Sequence, residues 1–218
     1  MSPNSVLVEA CVTSAGEAAS CFESGADRAE LCRALDVGGL TPETDAIEAT
    51  LAAGPGPINV LVRSQADTFR LTPAEVHALI EAVASLASLG VNGIVVGMLD
   101  EDGHVDHAAV DELVSAADGR PVTFHRAFDR VEDPLVEINP LIRAGVRRVL
   151  TSGGASTAWA GRDALRALVE ATGDGLTVLG GGRIRGDHVR RLVEETGLTE
   201  VHARASAIPG VIAALNAP

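Results

Sequence analysis

Eight short apolar, β-branched runs, separated by stretches mostly long enough for a helix, set the limits on what this 218-residue chain can fold into. They are Val6 to Val12, Arg28 to Cys32, Ile58 to Arg63, Gly93 to Leu99, Pro121 to Arg126, Arg147 to Ser152, Leu176 to Gly180, and Val201 to Arg204. Such alternation predicts βα units and a parallel sheet. Several runs are apolar on both faces, as strands covered by helices must be. Between them, Pro73 to Leu89, Ala108 to Ala117 and Gly186 to Thr196 place small or apolar residues at three- and four-residue steps, which predicts helices. Thr72 and Asp187 are placed to cap two helices, and Gly90, Gly145 and Gly197 to end three in left-handed turns before the next strand.

Eight βα units make either a closed barrel or an open doubly wound sheet. A dinucleotide-binding open sheet wants G-x-G-x-x-G at its first strand-to-helix turn, and CVTSAGE offers only Gly16. The sequence therefore predicts a parallel (β/α)₈ TIM barrel, a single domain over residues 1–218, of usual size for that fold. The short last helix, Ile208 to Asn216, predicts irregular closure at that end.

Charge and residue usage narrow the function. A formal net charge of -13 without a Lys/Arg cluster argues against nucleic acid and against an anionic membrane surface. The start, MSPNSVLVEACV, has no basic region or apolar run of signal length, and no stretch is long and apolar enough to span a bilayer, so the expected location is cytoplasmic. Cys11, Cys21 and Cys32, an odd and scattered set, fit a reducing compartment. All 17 basic residues are arginine, which removes Schiff-base aldolases, lysine-bound pyridoxal phosphate and a Walker-type phosphate lysine.

A barrel of this kind works at the C-terminal ends of its strands. Glu9 and Cys11 are two apart, as are Glu30 and Cys32, so each pair shares a strand face. A carboxylate pressed on the apolar helix layer would be costly, so both pairs are expected inside. Arg63 is then the expected counter-ion of Glu9 or Glu30, the alternative being a buried Glu–Arg network that only fixes packing. In VTFHRAFD, residues 122–129, His125 at a strand end with Asp129 following fits a general acid or base, a ligand, or a hydrogen-bonded core histidine. His202 has weaker support, and His77, His104, His107 and His188 read as solvated.

The glycines of TSGG (151–154) and GGGRIR (180–185) either cradle an anion on their amides, with Arg183 and Arg185 nearby, or permit tight turns. Cys11 and Cys32, at similar heights on adjacent strands, are soft donors of the kind Cu(I) prefers, but unpaired cysteine also serves as a small buried hydrophobe, the role expected of Cys21.

VEACV (8–12), GADRAELC (25–32), GGLTP (38–42), VTFHRAFD (122–129), LTSGG (150–154) and LGGG (179–182) resemble the CutC family in order and spacing, over nearly the whole chain. The resemblance implies a cytoplasmic (β/α)₈ barrel, a homo-oligomer such as a dimer, and the label of copper homeostasis. Carried over residue by residue, it marks Glu9 and Cys11, then Asp27, Arg28, Glu30 and Cys32, then His125, Arg126 and Asp129. The chain departs from the family pattern where Ser64 and Gln65 follow Arg63 in place of proline and arginine, where DTF (67–69) replaces GDF, and where Arg204 replaces a serine.

Three readings stay open. One is Cu(I) binding through Cys11 and Cys32. The second is an isomerase, epimerase or lyase for a small anionic or phosphorylated metabolite. There, Glu9, Glu30, Arg63, His125 and Asp129 would be catalytic, and Arg28, Arg126, Ser152, Gly153, Gly181 and Gly182 would bind substrate. The third is a scaffold whose outer surface does the work.

Overall fold

The computed structural model describes residues 6–54 and 56–217; residues 1–5, 55 and 218 of the expected 1–218 domain lie outside the described residues. In chain order the elements are β1 (Leu7–Val12), α1 (Ala15–Glu23), β2 (Arg28–Leu31), α2 (Thr44–Ala53), β3 (Ile58–Leu61), α3 (Pro73–Leu89), β4 (Gly93–Val96) and α4 (His107–Ala116). They continue with β5 (Val122–Phe124), α5 (Pro134–Ala144), β6 (Arg148–Thr151), α6 (Arg162–Thr172), β7 (Thr177–Gly181), α7 (Val189–Thr196), β8 (Glu200–Arg204) and α8 (Ile208–Asn216). The strands pair in sequence order, all parallel, into a closed barrel. The expected irregular closure is corrected: β1 and β8 pair from Leu7↔Glu200 to Cys11↔Arg204, so a regular ladder closes the sheet whatever the length of α8.

The pleat sorts the side chains into two cores. Val8, Ala10 and Val12 on β1, Ile58 and Val60 on β3, and Val122 and Phe124 on β5 belong to the large apolar layer shared with the helices. Inside the barrel the apolar cluster shrinks to Cys11, Cys32, Leu61 and Val95, with Leu35 packed on it. Much of the remaining interior is charged: Glu9, Arg28 and Glu30 are buried among barrel walls.

Thr72 caps α3 as expected, in a capping box with Glu75, and Gly90, Gly145 and Gly197 end α3, α5 and α7 with φ of 86°, 86° and 74°. Asp187 does not cap α7. The helix starts from His188, whose Nδ1 lies 2.7 Å from Asp187 Oδ1, so that carboxylate is already engaged. Several strands stop short of the apolar runs that encode them. Gly97–Leu99 leaves the ladder after β4, His125 caps a short turn over Arg126–Arg130, and Cys32 and Arg63 lie beyond β2 and β3. These overhanging residues build the mouth. Among the described residues, no helix is long and apolar enough to cross a membrane.

Candidate functional site

The lower layer of the site is a fixed charge network. Register places Glu9 level with Arg28 on β2 and His202 on β8. Glu9 Oε2 accepts from Arg28 Nε at 2.5 Å and from Asn59 Nδ2 at 3.1 Å, while Oε1 meets His202 Nδ1 at 2.8 Å. Arg28 also donates to Glu200 Oε2 at 2.6 Å, and Arg148 Nε reaches the same oxygen at 2.8 Å. Burial alone would raise the Glu9 carboxyl, but the His202 hydrogen bond and the Arg28 charge outweigh it and hold Glu9 at about 2. Burial pulls His202 down, and the Glu30 charge and the Glu9 bond overcome that to raise it.

Two expectations change here. Arg63 is not the counter-ion of Glu9 or Glu30. It sits beyond the end of β3, donates to the carbonyls of Val37, Gly39 and Ala66, and lies 4.8 Å from the Phe69 ring centroid. Arg28, expected to reach a substrate at the mouth, is 5% exposed and bound at both ends inside the barrel.

Above the network opens a cavity of about 190 Å³, whose walls include Cys11, Cys32, Glu30, His125 and His202. The Cys11 and Cys32 sulfurs are 3.6 Å apart, and Glu30 adds a carboxylate oxygen, all within 4.8 Å of one another. The hydrogen bond to Cys32, then burial and the Glu30 charge, push the Cys11 thiol far up. Burial raises Glu30; His202 pulls it back, the Glu9 charge adds to the rise, and the carboxyl ends at about 7 with Oε2 buried and unpartnered.

His125 is fixed by its own turn. Its Nδ1 accepts from the Ala127 N–H at 3.1 Å, which places the proton of the neutral ring on Nε2. Burial and the Arg63 charge hold this histidine at about 3, so near neutral pH it is an uncharged donor, and Nε2 has no partner. Gly97 makes room for it: a Cβ there would run into the His125 ring.

The TSGG loop does not offer the free amide cradle expected of it. Asp129 fills it: Oδ1 accepts from Thr151 Oγ1 at 2.6 Å, Ser152 N at 2.9 Å and Gly154 N at 3.2 Å. Its Oδ2 accepts from Arg126 Nε at 2.7 Å and Ser152 Oγ at 3.0 Å, and Gly153 N is bound to Thr151 Oγ1. Asp129 thus ties the β5 turn to the β6 loop and stands outside the inner cavity, as do Ser152 and Gly153. Gly181 packs close to Leu150 and His202, whereas Gly182 reaches the cavity wall. Of the departures from the family pattern, Gln65 turns to Glu75 on α3, while Arg204 stays at the mouth.

His202, Glu200, Arg148 and Asn59 are the residues that the sequence reading undervalued or passed over. The two-residue parity applied to β1 and β2 also marks Glu200 with His202 on β8, and a lone Asn in the apolar β3. The histidines expected to be solvated divide. His77 and His104 are exposed, as expected, though His104 Nδ1 lies 2.9 Å from the buried Glu137; His107, whose Nε2 meets the same carboxylate at 2.7 Å, and His188, beside Trp159, are half-buried.

A model of the CutC family matches residues 6–207. The chain belongs to the CutC family. The human relative, named copper homeostasis protein cutC homolog, is 37% identical over 203 residues, which are 93% of this chain and 74% of that one. A CutC family protein of Glaesserella parasuis serovar 5 (strain SH0165) is 34% identical over 198 residues, 91% of this chain and 82% of its own. The crystal structure of CutC from Streptococcus agalactiae superposes with a TM-score of 0.86 at 25% identity, covering 92% of this chain and 99% of that one. The family and its (β/α)₈ barrel agree with the sequence reading.

Proposed function

We propose that this CutC-family chain binds Cu(I) as its cargo through Cys11 and Cys32, and handles it in the cytoplasm, where its thiols stay reduced. The observation that carries this reading is the buried pair of sulfurs 3.6 Å apart on the wall of an open cavity. At about 2.3 Å per metal–thiolate bond, one ion reaches both sulfurs. Thiolates are soft donors that select Cu(I) over harder ions, and the Glu30 oxygen is the nearest additional ligand. The copper homeostasis name of the human relative supports the same reading. Glu9, Glu30 and His202 also cluster within 4.8 Å, but Glu9 is already engaged by Arg28 and Asn59, and a cation there would face that guanidinium. Because the Cys11 thiol is held protonated, binding displaces protons and tightens as pH rises.

The test is an anaerobic Cu(I) titration of the reduced protein against a competing chelator, beside Cys11→Ser and Cys32→Ser. Sub-micromolar binding that both substitutions abolish is the expected result. Undiminished binding in both variants would overturn the assignment.

A further inference from the structure

Among the described residues, five of the 17 arginines, Arg63, Arg126, Arg183, Arg185 and Arg204, line the inner cavity, and Glu30 is the one acidic residue on its walls. In a chain of net charge -13 the mouth therefore has the opposite sign to the molecule, an arrangement that draws small anions in. Arg183 is held there at φ 58°, a left-handed conformation costly for a residue with a side chain, directly after Gly182 at φ 108°.

Three buried polar atoms belonging to the cavity walls lack partners among the described residues: the donors His125 Nε2 and Arg63 Nε, and the acceptor Glu30 Oε2. Groups of this kind are normally satisfied, and leaving them unpaired is costly. Asp129 occupies the amides of the TSGG loop, so an incoming anion meets side chains here instead of a backbone nest. The inner volume, about 190 Å³, is room for roughly six waters. It shares Gly38, Arg63, Phe69 and Arg126 with an outer cleft of about 800 Å³, which gives a way in.

We propose that this mouth is a binding site for a small hydroxyl-bearing oxyanion, a hydroxycarboxylate or the phosphate ester of a small alcohol, bound without copper. The arginines take the anionic head. The neutral His125 donates from Nε2 to an uncharged ligand oxygen, and Glu30 Oε2 accepts from the ligand hydroxyl. Because no metal enters these contacts, the proposal stands or falls separately from the Cu(I) reading.

Metal-free, reduced protein is titrated by calorimetry at constant ionic strength with two matched pairs of probes: tartronate beside malonate, and glycerol 3-phosphate beside propyl phosphate. The expected result is saturable binding of at least one hydroxyl-bearing probe, about tenfold tighter than its hydroxyl-free counterpart. Arg183→Gln and His125→Asn each weaken it by about tenfold. Arg183 is exposed, so its variant keeps the fold, and the ligand-free melting temperature of each variant verifies that. The proposal is overturned if neither hydroxyl-bearing probe binds, if each binds no better than its counterpart, or if Arg183→Gln binds as tightly as the parent.

Discussion

Arg28 stands between two carboxylates, Glu9 and Glu200, that meet it inside the barrel. Removing it leaves buried charge without its main compensation, a change that typically costs about 3–5 kcal/mol. Arg28→Met, close in length but uncharged, should therefore lower the unfolding free energy by that amount, read as a lower denaturant midpoint; an unchanged midpoint would show that the network bears no stability. The inward facing of Glu9, Cys11, Glu30 and Cys32 was legible because a strand alternates every two residues. The same parity marks His202 as inward but not its importance, which comes from Glu9, 193 positions away in sequence. Arg63 keeps the inward parity and lines the cavity, but its partner was misread, because the carbonyls of Val37, Gly39 and Ala66 that take its guanidinium belong to loops that alternation does not describe.

At the scale of the element, α3 is the longest helix described, and both halves of the Thr72–Glu75 capping box are formed. Thr72→Ala should cost about 1 kcal/mol in equilibrium unfolding, with Cu(I) binding unchanged, since α3 contributes nothing to the thiol pair. A loss of copper binding in that variant would show that the outer helix and the mouth are coupled. Helix ends at Gly90, Gly145 and Gly197 were legible because a left-handed turn is the property of one residue. The start of α7 was not, because His188 competes for the Asp187 side chain. Strand ends were overdrawn as well: apolar alternation runs on through Phe124 to His125, but β5 pairs for only three residues.

For the whole molecule, four buried groups set how stability follows pH, and one of them, His125, lowered from 6.5 to about 3, contributes stability that is full above 6.5 and is lost as pH falls toward 3. Glu9, lowered from its ordinary 4.5 to about 2, contributes stability that is full above 4.5 and is lost as pH falls toward 2. Glu30, raised from 4.5 to about 7, has the opposite sign: the unfolded chain ionises first, so the folded state loses ground as pH rises from 4.5 to 7. His202, raised above 6.5, stabilises below that value and loses its contribution as pH climbs through its folded value. Between pH 5 and 8, Glu30 and His202 favour the lower pH and His125 the higher, while toward pH 3 both Glu9 and His125 lose ground. Glu30→Gln should therefore shift the balance of guanidinium resistance of the metal-free protein from pH 5 toward pH 8; an unchanged difference between the pH 5 and pH 8 midpoints would contradict this assignment of charges.

The ladder that joins β1 to β8 also imposes a time order on synthesis. Cys11 and Cys32 leave the ribosome together and well ahead of residues 200–204, which seal the wall beside them. A nascent chain therefore carries both thiols before it has a barrel to enclose them, and that interval is when oxidation to a disulfide threatens the protein most.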